Sequence, residues 1–135
     1  ETLHLRVAQS SQTALALAHY LAAHPKVVKV NYPMLASHPH HQRAQALFSN
    51  GSWLLSFEMD SVQAGLNLID RLHLPIAATG MGDTRTLIIP VAPTIFWEAG
   101  PAVRADMGIA DGLIRLSVGL ESQDDLLADF AQALG

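Results

Sequence analysis

The sequence predicts an α+β fold: a small, largely antiparallel sheet with helices packed on one face. Three observations carry this expectation. Residues 53–59 and 113–120 alternate between two faces at strand spacing, with one face wholly apolar. The segments at the two ends of the chain carry apolar residues at helical spacing. Between them the elements run in the order αβαβαββαβα, with no linker and no internal repeat.

Leu3, Val7, Ser10, Ala14, Leu17 and Leu21 form a narrow stripe, so residues 2–23 read as one long helix that Pro25 stops. Residues 27–31 read as a short strand. Pro39 suits the first turn of a second helix that runs to Phe48. "SNGS" is a turn. Trp53, Leu55, Phe57 and Met59 then alternate with Leu54, Ser56 and Glu58, which is a half-buried strand. Asp60 or Ser61 can cap the next helix, expected to turn Val62, Leu66 and Ile69 inward. Residues 76–79 and 86–89 are candidate strands on either side of a glycine-containing loop. Pro101 opens a short helix that Gly108 ends. In the strand 113–120, Ile114, Leu116, Val118 and Leu120 face one way, and Leu113, Arg115, Ser117 and Gly119 face the other. Ser122 with Asp125 resembles a capping box with a shortened acid. The helix that follows places Leu126, Leu127, Phe130 and Leu134 on one side.

With 135 residues, half of them hydrophobic and 15% charged, the chain can bury one modest core. Its net charge is −4 and it has no basic run, which argues against nucleic acid as a partner. It has no cysteine, which excludes disulfides, thiolate metal sites and a cysteine nucleophile, and which permits a reducing cytoplasm. The longest apolar run, residues 87–97, is too short to span a bilayer and contains two prolines, so no membrane is expected. The chain opens on Glu1 inside a helical pattern, and the expectation is a piece of something longer.

Arg115 is the residue that most needs explaining. A permanent charge interrupts an apolar strand, on a face where Ser117 and Gly119 are small and leave room for a ligand. The alternative is an ion pair with a nearby carboxylate. "HPHH", residues 38–41, with His24 as a further candidate, is the most metal-like cluster; no carboxylate follows at ligand spacing, so exposed imidazoles at a helix start are expected and no metal. "TGMGDTR", residues 79–85, could hold an anion on its amides, or could simply connect two strands. No helix follows it, so it is no dinucleotide fingerprint. No serine sits in a nucleophile elbow. Lys26 and Lys29 flank the start of a short strand and read as solvated, not as catalytic amines. By itself the chain reads as half of a site.

"ETLHLRVAQSSQTALALAHYL", "VVKVNYP", "SHPHHQRAQ", "LLSFEM", "GDTRTLIIP" and "MGIADGLIRLSVGLESQDDLLADFAQAL" follow one another over nearly the whole chain. In that order they resemble the C-terminal domain of the pyridoxal-phosphate-dependent enzymes of cysteine and methionine metabolism. That family includes cystathionine γ-synthase, cystathionine β- and γ-lyases, methionine γ-lyase and the homoserine-ester sulfhydrylases. "GLIRLSVGLE" is the most specific block.

The resemblance implies the small C-terminal domain of a type I aminotransferase-like fold over residues 1–135. It implies that pyridoxal phosphate is bound through a large domain that this chain lacks, so no catalytic or cofactor-binding residue is expected here. Arg115 falls on the arginine that grips the substrate α-carboxylate. Thr79, Gly80 and Met81 fall on the loop that faces the substrate side chain, where Gly80 replaces a common serine. The family's "HPAS.TH" is here Pro90 to Phe96, with apolar residues in place of both histidines. The implied function is substrate binding within a C–S lyase of the transsulfuration type, the fragment alone being inactive. Alternatives are a synthase or sulfhydrylase acting on an O-acylhomoserine, or a stand-alone binding module that kept only the fold. The implied partners are an amino-acid substrate, the protein's own large domain and further copies in a cytoplasmic homotetramer.

Overall fold

The computed structural model describes residues 1–135. Its elements are α1 (Leu3–Ala23), β1 (Val27–Asn31), α2 (His41–Leu47), β2 (Leu54–Met59), α3 (Val62–Arg71), β3 (Ile76–Ala77), β4 (Leu87–Pro90), α4 (Gly100–Asp106), β5 (Leu113–Ser117) and α5 (Gln123–Leu134). The order is the one that the sequence periodicities predict. The strands form one sheet in the order β1-β2-β5-β4-β3. Pairs β1–β2, β2–β5 and β5–β4 are antiparallel, whereas β3 lies parallel to β4, so the sheet is mixed. A two-residue strand carries no alternation from which to read its direction.

Helices α1, α3 and α5 pack on one face of the sheet. Leu55, Phe57 and Met59 of β2, Ile88 of β4, and Ile114 and Leu116 of β5 meet Leu17 and Leu21 of α1 and Leu126 and Phe130 of α5 in a single core. Phe57 and Phe130 meet edge to face, 6.4 Å between ring centroids. Ser61 and Ser122 cap α3 and α5 by accepting the N–H of Ala64 and Asp125. Helices α2 and α4 stand outside this layer; Ala44 is the single buried residue of α2, and α4 has none. No helix is long and apolar enough to cross a membrane.

Several boundaries and faces differ from expectation. The inward residues of α3 are Gly65 and Leu68, with Val62, Leu66 and Ile69 only half-buried. A Cβ at Gly65 would lie 3.3 Å from Ile114 Cδ1, so the missing side chain lets the helix lie close to β5. Leu3 is exposed, and α1 buries Ser11, Thr13 and Ala18 beside the expected stripe. Helix α2 begins two residues after Pro39 instead of on it. Strand β5 stops at Ser117 and leaves Leu120 partly exposed, because the Leu120 N–H bonds the Thr84 carbonyl in a loop. The edge strand β1 carries a bulge at Val28, which interrupts a row of free backbone groups.

Candidate functional site: a cleft on the open face of the sheet

The face opposite the helices carries a cleft of ≈ 510 Å³. Arg115, Ser56, Asn31 and His38 line its polar side, and Met81, Ile95, Phe96 and Leu113 its apolar side. No acidic side chain lines it. Register explains the polar side. Ser56 pairs directly with Arg115, and Asn31 directly with Ser56, so three polar residues from three adjacent strands form one row. On the far side of Arg115 the row ends in buried Ile89.

Arg115 has no carboxylate within ion-pair distance. Its Nη2 donates to the carbonyls of Thr79 and, at 3.4 Å, Gly80. Nε and Nη1 have no partner within the protein. The strand-borne ion pair is therefore not what this arginine does. Two backbone dipoles aim the guanidinium while its net charge and most of its donors stay free. That arrangement suits a bidentate anion such as a carboxylate.

The structure brings Thr79, Gly80, Met81 and Arg115 together. Thr79 and Gly80 take part through backbone carbonyls, not side chains, and Met81 lies exposed along the cleft. The loop 78–86 links the parallel strands β3 and β4 and folds over the end of β5. Here the expectation that Ser117 and Gly119 leave room for a ligand needs correcting. Ser117 is buried and its Oγ accepts the Gly82 N–H at 3.1 Å. A Cβ at Gly119 would stand 2.5 Å from Thr84 O and from Arg85 C. The small residues accommodate the chain's own loop.

Three amides of this loop are already taken by the protein's own acceptors. Gly82 N–H is taken by Ser117 Oγ, Arg85 N–H by Asp83 Oδ1 and Thr86 N–H by Glu121 Oε1. The Arg85 N–H, with Thr84 beside it, holds the exposed Asp83 carboxyl below its ordinary range despite some desolvation. Glu121 anchors the loop from the other side. Its second oxygen accepts the Thr86 hydroxyl at 2.7 Å, and Thr86 Oγ1 in turn accepts the buried Gly119 N–H at 2.9 Å.

The histidines do not form a metal cluster: no three His, Asp or Glu side chains are placed to hold an ion. His24 Nδ1 accepts the Lys26 N–H. His41 Nδ1 meets the Pro33 carbonyl. His38 does something else. Its Nδ1 accepts the His40 N–H at 3.1 Å and its Nε2 contacts Asn31 Oδ1 at 2.9 Å. An Nδ1 that accepts must be unprotonated, so Nε2 carries the hydrogen and donates it to Asn31. Desolvation, then the positive potential of His40, His41 and Lys29, lowers the His38 pKa and keeps that tautomer neutral. The sequence offers His38 as a metal-like candidate or, as expected there, an exposed imidazole, and nothing in it singles out Asn31, Ser56, Thr86 or Glu121 for the site. Alternation puts Ser56 on the correct face, but strand order and register are needed to set it beside Arg115.

All 135 residues match the family model described as Cys/Met metabolism PLP-dependent enzyme. The chain is 41% identical over 135 residues to cystathionine gamma-synthase 1 (chloroplastic) of Nicotiana tabacum, covering 99% of this chain and 25% of that protein. It is 37% identical to an O-succinylhomoserine sulfhydrylase of Mycobacterium tuberculosis and 38% identical to a cystathionine beta-lyase of Bacillus subtilis, in each case over 99% of this chain and 34% of the relative. Among solved structures, a putative O-acetylhomoserine (thiol)-lyase from Campylobacter jejuni, which carries a pyridoxyl-lysine, superimposes with a TM-score of 0.94 at 38% identity. It matches 98% of this chain and 32% of that one. The chain thus spans a quarter to a third of the length of these proteins.

Proposed function

Because this chain belongs to the family of Cys/Met metabolism PLP-dependent enzymes, we propose that it is the C-terminal, substrate-gripping domain of such an enzyme. Arg115 takes the α-carboxylate of an amino-acid substrate. The observation that carries this reading is a guanidinium at a cleft wall with no carboxylate partner, aimed by the backbone of Thr79 and Gly80. Two parallel N–H donors fix the carboxylate's plane as well as its place. Orientation of the substrate is what the protein contributes to cofactor chemistry.

The residues present do not fit the cofactor itself. A pyridoxal phosphate enzyme needs a lysine amine in the site. Lys26 Nζ donates to the Leu134 carbonyl, and Lys29 lies exposed on the edge strand, 4.0 Å from Glu58. Neither lines the cleft. The cofactor belongs to residues outside this chain, and no chemical step is assigned to residues within it. The chain alone binds but does not catalyse. A large domain, assembly as a homotetramer and a cytoplasmic location complete the proposal.

Within the family, the uncharged wall of Met81, Ile95 and Phe96 supports a thioether substrate and hence C–S lysis. Relatives named as synthases and sulfhydrylases support replacement on an O-acylhomoserine instead. Steady-state assays of the full-length protein against cystathionine, methionine and O-acylhomoserines separate these activities. Loss of kcat/KM in Arg115→Ala with cofactor retained supports the shared carboxylate role. Retained activity removes it.

A further inference from the structure

We infer that Asn31, oriented by His38, is a specificity-determining residue that presents its amide N–H to a carboxylate at the far end of the ligand. This rests on the reading that Arg115 takes the α-carboxylate of the same molecule.

An asparagine amide offers an acceptor on one side and two donors on the other, and what faces a ligand depends on what holds the other half. Here the other half is held. His38 Nδ1 is committed to the His40 N–H, so Nε2 is a donor and Asn31 Oδ1 is its acceptor. Turning the amide over would set Nδ2–H against Nε2–H, two donors facing each other. The carbonyl is therefore spent on His38, and the NH2 group is the part left for the cleft. With Oδ1 engaged by His38, the NH2 group has no partner within the protein.

Its place in the sheet sets what it can reach. Asn31, Ser56 and Arg115 are consecutive partners across β1, β2 and β5. Strands lie about 4.8 Å apart, so the outer two backbones are about 10 Å apart. Ser56, between them, adds a hydroxyl. The walls on either side, Leu54, Leu113, Ile95 and Phe96, are apolar and suit a methylene chain. No carboxylate lines the cleft to repel a second anion. Lys29, on the same face of β1, is turned to Glu58 and does not line the cleft. A ligand with a carboxylate at each end of a short aliphatic chain matches this row. One end has a full charge partner and the other a neutral donor.

The test uses the full-length holoenzyme and two probes that carry no leaving group, L-2-aminopimelate, which has two carboxylates, and L-2-aminoheptanoate, which ends in a methyl group. Calorimetry gives the Kd of each. The parent should prefer aminopimelate by about tenfold or more, the usual scale of a hydrogen bond to a charged group. Asn31→Asp keeps size and shape, still accepts from His38, and should reverse the preference. His38 is a positioning residue: His38→Ala should reduce the preference several-fold by weakening aminopimelate more than aminoheptanoate, and His38→Gln, which can still donate to Asn31, should restore part of it. A parent that binds the two probes equally or neither of them, or a preference untouched by Asn31→Asp, overturns the inference. Arg115→Ala distinguishes this from failure of the carboxylate reading. If it weakens both probes while the parent shows no preference, only the Asn31 inference falls. If it weakens neither, the carboxylate reading falls with it.

Discussion

Arg115 on β5 is held by the backbone carbonyl of Thr79, 36 residues earlier in the chain, and by no carboxylate. A guanidinium paired with a carboxylate is neutralised where it stands. One held by carbonyl dipoles is aimed and remains a cation. Removing it from the intact enzyme should cost a desolvated, charge-assisted contact, about 2–5 kcal/mol. That is roughly 30- to several-thousand-fold in kcat/KM. Arg115→Lys should recover little, because an ammonium cannot present the fork. The side chain lies opposite the core residues Ile114 and Leu116, so the melting temperature of Arg115→Ala should stay near the parent's. Measuring kcat/KM, cofactor absorbance and melting temperature together checks this. Activity within a few-fold of the parent, or gross unfolding, would sink the carboxylate role.

Gly80→Ser should alter substrate choice more than stability. Gly80 supplies a carbonyl to Arg115, and the next residue, Met81, lines the cleft. A Cβ at position 80 would come within 2.9 Å of Leu87 Cδ1, the movable end of a side chain, so the fold can yield at small cost. In the full-length enzyme the ratio of kcat/KM between thioether and ester substrates should shift. Equal loss on every substrate would mean that the loop only supports Arg115.

The loop's other anchor is Thr86, and its hydroxyl carries two bonds at once. Thr86→Val keeps the shape but leaves the buried Gly119 N–H without an acceptor and Glu121 Oε2 without a donor. An orphaned buried group costs about 1–3 kcal/mol. Urea unfolding should show that loss. Restoration of full stability by adding Glu121→Gln would contradict this, since the Gly119 N–H would still be unpaired.

How much of this was legible depended on the range of the interaction. Alternation along 53–59 and 113–120 is local, and it marked the core faces of β2 and β5. Ser122 as a cap was equally local. The partner of Arg115 was not local. Nothing near residue 115 says that residues 79–80 return to it, and so an ion pair remained an open reading. Ser117 and Gly119 show the same limit from the other side. Small residues on a strand face signal that something comes close, but the sequence does not say whether it is a ligand or the chain's own loop. The parallel pairing of β3 was hidden because its two residues have no period. The row of Asn31, Ser56 and Arg115 exists only through strand order, since β5 inserts between β2 and β4.

The isolated chain should not develop cofactor absorbance of its own. Neither Lys26, bonded to the Leu134 carbonyl, nor Lys29, beside Glu58 on an edge strand, sits in a desolvated pocket. A lysine that serves as a nucleophile needs a desolvating pocket around its amine. Mixing the chain with pyridoxal phosphate should give no stoichiometric band that survives dilution. A persistent band, lost on replacing Lys26 or Lys29, would show that this domain holds the cofactor.

Asp129 should make stability depend on pH at the acid end. Burial by itself would raise its pKa, but the Leu74 N–H, the Gln132 amide, the His73 N–H and the charge of His73 together outweigh burial, and the carboxyl is held below its ordinary 3.8. A folded-state value below the unfolded one means that the unfolded chain binds the proton more readily. The stabilisation is therefore fully present above the unfolded value and disappears as the pH falls through the folded one. These bonds tie α5 to the segment that leaves α3 (His73 and Leu74), so their loss loosens the helix layer instead of the cleft. Asp129→Asn removes the charge and turns a donor toward N–H groups that need an acceptor, at a cost of about 1–3 kcal/mol near neutral pH. The gap in melting temperature between parent and Asp129→Asn should be fully present well above pH 4 and should narrow steadily below it, as the parent loses what the variant never had. A gap that stays constant down to pH 3, or widens there, would show that the Asp129 carboxylate is not what these backbone groups depend on.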